Sequence, residues 1–133
     1  MASYSYNVGK DQNRISLMVD IDTIGLAATR AIVVDLQTED PAEAVGHSEN
    51  ATGDIPAKDI GTAKKLKGKL LSILTKIDLI GDEEANKKEC ARLAGKYYLD
   101  GGKDGYVYFD DPRKTVAADF SRVILNMEID LTD

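Results

Sequence analysis

The only histidine of the chain, His47, is followed directly by Ser48 and Glu49. These residues carry the three kinds of group that a hydrolytic triad uses. A triad needs its nucleophile, base and orienting carboxylate to converge in one fixed geometry, and three consecutive loop residues rarely meet that condition. We therefore expect His47 to be an exposed loop residue without a catalytic role.

The single cysteine, Cys90, is the other candidate nucleophile. A thiol becomes reactive where a cation or a helix N-terminus lowers its pKa. Cys90 falls within a predicted helix, on its apolar side, so we expect a buried and unreactive thiol. Because the sequence offers no acid–base pair, activated nucleophile or cofactor-binding loop, it predicts a protein that is not an enzyme and has no cofactor.

Acidic residues surround the glycines of segment 100–105, and two more end the strand predicted after it. Calcium prefers oxygen ligands of this kind, so the segment suggests a calcium site. The spacing of an EF-hand loop is absent, and Lys103 places a positive charge among the carboxylates. The sequence therefore favours a glycine-rich loop without a metal. The calcium candidates are Asp100, Asp104, Asp110 and Asp111.

Four tyrosines lie on either side of that loop, at positions 97, 98, 106 and 108. Tyrosine combines apolar area with a hydroxyl group, and it is common in interfaces and on sugar-facing surfaces. We assign Tyr97 and Tyr98 to the core side of the predicted helix. Tyr106 and Tyr108 share one face of a strand, where they pack beneath the helix or bind a ligand.

The only basic run covers residues 61–69 and contains four lysines. It lacks the spacing of a phosphate-binding loop and has no interleaved aromatic residues. The net charge of -6 disfavours nucleic acid and anionic membranes as partners. The run therefore predicts either a solvated strand entrance or a docking patch for an acidic protein, such as another copy of this chain. Its proposed contact residues are Lys64, Lys65 and Lys67.

These groups must be positioned by a chain of 133 residues with 43% hydrophobic and 30% charged residues. That length and composition predict one globular domain over residues 1–133. A period of two predicts strands at 15–21, 27–36, 70–79 and 122–131. The first two are expected to form a hairpin, with Ile32, Val34 and Leu36 on one face. Residues 37–60 are predicted to be one long loop, or a loop with a short turn of helix.

A single helix is predicted at about residues 82–98, with Asp82 as its N-cap and Gly101-Gly102 as its stop signal. Its apolar stripe would consist of Cys90, Leu93, Ala94, Tyr97 and Tyr98. The sequence thus predicts a mainly β fold, a two-layer antiparallel β-sandwich with one inserted amphipathic helix. The alternative is an α+β domain, with the helix packed on a single antiparallel sheet.

Leu70 and Leu74 lie on the second face of the strand at 70–79, where the helix, another sheet or a second subunit would cover them. Together with the three lysines they are the predicted interface. The sequence therefore predicts a structural or assembly subunit, a homo-oligomer or part of a particle, tail or filament. A ligand- or carbohydrate-binding β-sandwich module that uses Tyr106 and Tyr108, with or without calcium, is the alternative.

The first residues carry neither a basic start nor an apolar run, and no stretch reaches ~18 apolar residues. We therefore expect no signal peptide and no membrane span. The expected location is the cytoplasm, or a particle that takes up the chain without a leader.

Overall fold

The computed structural model describes residues 4–133. Within that range two helices form, α1 (Ala63–Leu66) and α2 (Glu83–Arg92), and neither has the length and apolarity that a membrane crossing requires. The remaining regular structure is extended. The strands are β1 (Tyr4–Asn7), β2 (Arg14–Asp22), β3 (Leu26–Val34), β4 (Glu43–His47), β5 (Ile55–Thr62), β6 (Leu70–Asp78), β7 (Ala94–Gly102), β8 (Gly105–Phe109), β9 (Arg113–Val116) and β10 (Arg122–Thr132).

The strands form two sheets. In sheet A the order is β1-β10-β6-β3-β4, with β9 also paired to β10, and in sheet B it is β5-β2-β7-β8. Neighbouring strands are antiparallel except for β1 and β10, which run parallel. The mainly β, two-layer sandwich predicted from the sequence is therefore confirmed, and the single-sheet alternative is wrong.

The core lies between the sheets and follows the alternation of the long strands. Inward residues of β2, β6 and β10 are almost completely excluded from solvent, as their period of two predicts. These buried residues are Ile15, Leu17, Val19, Ile21, Leu71, Ile73, Ile77, Val123, Leu125, Met127, Ile129 and Leu131.

The predicted hairpin between the first two strands is wrong, because β2 belongs to sheet B and β3 to sheet A. Ile32 and Val34 share one face of β3, as predicted, and that face is outward, whereas Ala27 and Ala31 face the core. Leu36 lies beyond the end of the strand and is 60% exposed. The backbone of Gly53 passes very close to Ala27: a Cβ atom on Gly53 would lie only 2.7 Å from the Cβ of Ala27. This close approach favours a small inward side chain at position 27.

The predicted loop at 37–60 contains most of two strands, β4 and β5. Their period of two is hard to see in the sequence because the pairing of β2 with β5 shifts register twice, and that of β3 with β4 shifts once. A bulge adds a residue to one strand and moves the following side chains to the other face. In β5 only Ile55 and Ile60 are buried.

The helix begins as predicted, since the Oδ1 atom of Asp82 accepts a hydrogen bond from the amide of Ala85 at 2.8 Å. It ends at Arg92, and the residues after it form strand β7 instead of two further helical turns. Apolar residues at 90, 93, 94, 97 and 98 fit a helix, but 93, 97 and 99 fit a strand equally well. Tyr97 therefore faces the core, Tyr98 faces outward, and Gly101-Gly102 ends a strand.

Candidate functional site

The three groups suggested as catalytic candidates, His47, Ser48 and Cys90, lie in different surroundings, and His47 lies in a strand and not in the predicted loop. His47 is exposed, at the end of β4, and the Oγ atom of Ser48 accepts a hydrogen bond from the amide of Thr29 at 2.8 Å. Cys90 is buried in α2, as predicted, and burial raises the pKa of its thiol although the Lys114 ammonium acts in the opposite direction. Lys114 Nζ itself donates to the carbonyl oxygens of Cys90 (2.8 Å) and Leu93 (3.2 Å), at the helix C-terminus.

The calcium candidates do not converge. Oδ2 of Asp104 accepts from the amide of Asn7 at 2.9 Å, and Oδ1 of Asp100 accepts from the next amide along the chain. Asp111 accepts from the Tyr4 hydroxyl at 3.3 Å. Across residues 4–133, no group of three or more His, Cys, Asp or Glu side chains is placed to hold a metal ion. Asp104 and Asp111 instead attach the β7–β8–β9 region to β1.

The lysines of the predicted interface lie on α1 and just after it. Lys65 pairs with Glu43 at 3.2 Å and Lys67 with Asp133 at 3.7 Å, while Lys64 is exposed. The backbone amide of Ala63 donates to Asn13, which places α1 at the end of the sandwich where β2 begins. Two of the three lysines thus face carboxylates of their own chain.

A contiguous apolar patch covers the middle of the outer surface of sheet A. Leu70 lies opposite Val34, Ser72 lies opposite Ile32, and Leu74 lies between Asn126 and Arg30. Diagonal neighbours on adjacent antiparallel strands are 7–8 Å apart, within reach of long side chains. We call this patch the apolar face. It consists of Ile32, Val34, Leu70, Leu74 and Ile124.

The apolar face is open to solvent in the described chain. Leu74 occupies the middle of β6 and is 37% exposed, while its apolar neighbours are half-buried. The helices lie at the ends of the sandwich, α1 beside Asn13 and α2 beside Thr23 and Ile24. The sequence correctly placed Leu70 and Leu74 on the outward side of β6, but neither the helix nor sheet B covers them.

Charged residues surround the apolar face. The cations Arg30 and Lys76 are exposed and form no ion pair with any residue in the range 4–133. Glu128 and Asp130 are outward residues on the other side of the patch, and Arg113 approaches Glu128 to 3.8 Å. An apolar centre with a charged rim is the usual anatomy of a protein-binding surface.

The outer surface of sheet B carries three tyrosines. Tyr98 lies between Met18 and Tyr108 in the strand register. Its ring centroid is 5.9 Å from that of Tyr106, with nearly parallel planes, and 6.0 Å from that of Tyr108. Tyr106 and Tyr108 are 63% and 54% exposed, so the prediction that they pack beneath the helix is wrong.

Around the tyrosines the charge is mainly negative. Asp20 and Asp100 are exposed on β2 and β7 and form no ion pair within the described residues. Lys96 places its Nζ atom 5.5 Å from the centre of the Tyr108 ring. We call this surface the tyrosine face, defined by Met18, Tyr98, Tyr106, Tyr108, Asp20 and Asp100. The sequence prediction missed the tyrosine face because it placed Tyr98 on the core side of a helix.

Two outward surfaces of opposite character, the apolar face and the tyrosine face, are therefore the candidate sites. Both are shallow surfaces built on the strands of a sheet, and each has exposed charges at its margin. Searches against known protein families, curated proteins and solved structures found no match.

Proposed function

We propose that this chain is a non-enzymatic structural subunit that assembles through protein–protein contacts, with the apolar face as its binding surface. The observation that carries this proposal is the exposure of Leu74 at the centre of a patch of five aliphatic side chains. Isolated exposed apolar residues are ordinary on protein surfaces, whereas a contiguous patch with a polar rim typically marks an interaction site.

A stable interface would extend beyond the apolar face. Such an interface takes roughly 800 Å² from each partner. That area is about a tenth of the 7609 Å² of solvent-accessible surface on this chain. The contact would therefore include the exposed residues around the apolar face on β3, β6 and β10.

Two edge strands, β9 and β5, carry features that discourage edge-to-edge pairing. An open edge strand offers unpaired backbone groups to another chain, and proteins block such edges with charges, prolines and bulges. β9 carries Arg113 and Lys114, and β5 contains Pro56 and two shifts of register. Edge-to-edge pairing at these strands is therefore disfavoured.

The proposal is tested by the sedimentation of Leu74→Asp beside the wild type over a wide concentration range. We expect the wild type to associate as its concentration rises and Leu74→Asp to remain a folded monomer. Ile80→Asp is the matched control, because Ile80 is 84% exposed outside the apolar face and should leave association unchanged. If Leu74→Asp associates as the wild type does, or if it unfolds, the apolar face is not the binding surface.

A ligand- or carbohydrate-binding module is the second candidate function, and the tyrosine face favours it. Exposed tyrosine rings on a flat sheet surface can stack on sugar rings. Titration with soluble glucan oligosaccharides, followed by tyrosine fluorescence, tests this candidate. Binding that disappears in Tyr106→Ala and Tyr108→Ala would support the module, and an unchanged signal at saturating sugar would exclude this ligand class.

A further inference from the structure

We infer that the apolar face binds the tyrosine face of a second copy of this chain, so that copies stack head to tail. This inference rests on the proposed assembly function and names the partner of that surface. The observation behind it is that the two outer surfaces of one sandwich differ in character. The apolar face is aliphatic and carries Arg30 and Lys76, whereas the tyrosine face is aromatic and carries Asp20 and Asp100.

Charge complementarity is the first argument. On its β3 and β6 side the apolar face has two cations without an ion-pair partner in the described chain, Arg30 and Lys76, while Glu128 and Asp130 lie on its β10 side. The tyrosine face has two anions without such a partner, Asp20 and Asp100, and one cation, Lys96, opposite Asp20 in the strand register. The cationic side of one face can therefore meet the aspartates of the other. Opposite potentials across an interface steer the encounter and fix its register, whereas like charges exclude wrong partners.

The chemistry of the tyrosine rings is the second argument. A cation over the face of a tyrosine ring, within about 6 Å of its centroid, is attracted by the ring electrons. Lys96 already makes this contact with Tyr108 at 5.5 Å. Arg30 of an incoming copy would find the stacked rings of Tyr98 and Tyr106 beside it, and guanidinium groups stack well on such rings.

The alternative is the pairing of two apolar faces about a twofold axis. Arg30 and Leu74 are register partners, so they lie in one row across the sheet. A twofold axis along that row would bring Arg30 of one copy close to Arg30 of the other, and these like charges repel. An axis along β6 avoids that contact, but any such pair leaves the tyrosine faces of both copies uncovered. The head-to-tail contact covers one face of each kind.

A head-to-tail contact does not close on itself unless a rotation brings the copies into a ring. The two faces lie on opposite sides of the sandwich, so successive copies would stack along the direction in which the sheets are layered. Packed sheets are about 10 Å apart. We therefore expect a filament or stack that rises by about 20 Å per copy.

The test uses two variants that each block one face. Leu74→Asp blocks the apolar face, and the double variant Tyr106→Lys/Tyr108→Lys places cations on the tyrosine face. Each variant alone should sediment as a monomer of 14.5 kDa. An equal mixture should form a species of twice that mass, because each variant supplies the face that the other lacks.

Other outcomes distinguish a failure of the head-to-tail contact from a failure of the proposed assembly function. If the wild type assembles and the tyrosine variant assembles equally well, the tyrosine face is not the partner, and the assembly function stands. If the wild type remains monomeric at every concentration, the proposed self-assembly itself is overturned. If Leu74→Asp has no effect on assembly, both the surface and its partner are wrong.

Charge exchange gives a second route that does not depend on Leu74. Arg30→Glu/Lys76→Glu and Asp20→Lys/Asp100→Lys replace exposed residues, so circular dichroism should show both folded. Each pair should weaken assembly, and the chain that carries all four substitutions should regain it. If Asp20→Lys/Asp100→Lys assembles as the wild type does, or if the chain with all four substitutions does not regain assembly, the inference is wrong.

Discussion

The two sides of strand β6 hold similar aliphatic residues in opposite environments. Toward sheet B, Leu71, Ile73 and Ile77 are fully buried. Toward the outside, Leu70 is half-buried and Leu74 is 37% exposed. The inward residues complete the core of the sandwich itself. The outward ones have no partner in the described chain, and this difference identifies the surface on which we expect a second protein.

The largest effect is expected where the two sides of β6 are compared directly. Ile73→Ala removes a fully buried side chain and should lower the free energy of unfolding by about 3 kcal/mol. Leu74→Ala, at the next position, should lower that of the monomer by less than about 1 kcal/mol because the site is open to water. Urea denaturation at low protein concentration measures both. Equal losses would mean that Leu74 belongs to the core.

The α2 end of the sandwich sharpens the comparison, because there a polar group is buried with all its partners. Glu89 accepts hydrogen bonds from the Thr23 hydroxyl at 2.8 Å and the Ile24 amide at 3.0 Å. Arg92 donates to the same carboxylate at 2.8 Å and holds the pKa of Glu89 at about 2, although burial acts in the opposite direction. The buried carboxylate at this end of the sandwich is therefore fully partnered within the chain, unlike the outward leucines of β6.

Glu89 should make stability depend on pH. Because its folded pKa is depressed, its contribution to stability is present above its ordinary pKa of 4.5 and is lost as the pH falls through about 2. Glu89→Gln should cost about 2 kcal/mol at neutral pH. It should also flatten the acid limb of the unfolding curve.

Glu84→Gln is the matched control for Glu89, because Glu84 is exposed on the same helix and its contact with Lys88 is 3.9 Å. We expect its unfolding curve to follow the wild type at every pH. A Glu89→Gln curve that kept the wild-type acid limb would show that another carboxylate governs it.

A smaller effect is expected at the one polar position on the inward side of β6. The Thr75 hydroxyl forms a buried hydrogen bond of 2.8 Å with that of Thr29, and the nearby Tyr97 hydroxyl has no partner in the described residues. Thr75→Val leaves the Thr29 hydroxyl unsatisfied and should cost about 1–2 kcal/mol. Replacing both threonines by valine should cost less than the two single changes together, as chemical denaturation would measure. Additive costs would contradict the pair.

The structural elements that follow a sustained local pattern could be predicted from the sequence. The alternation of β2 and β10 was visible in the sequence because no bulge interrupts their inward residues. The start of α2 was predictable because Asp82 is a typical N-cap residue. The residues after Arg92 could not be assigned, since Leu93 and Tyr97 fit a helix and a strand alike. Pairing with β2 and β8 places these residues in a strand. Within it, a Cβ on Gly95 would lie 2.8 Å from the Tyr97 hydroxyl oxygen, so glycine leaves room for the tyrosine.

The candidate site was predictable only in part, because it depends on which strands are neighbours. Leu70 and Leu74 were placed outward from the period of β6 alone. Ile32 and Arg30 join them through the pairing of β3 with β6, which no local pattern in the sequence reveals. Likewise, Met18 and Tyr98 meet only because β2 and β7 are adjacent in sheet B.

The central claim is that the outward side of β6 binds another protein and, in this chain, a copy of itself. The most direct measurement is the sedimentation-equilibrium mass of the wild-type chain from micromolar to millimolar concentration, in low and in high salt. We expect a mass that rises with concentration and falls as salt screens Arg30 and Lys76 from their acidic partners. A mass that stays at 14.5 kDa throughout would contradict it.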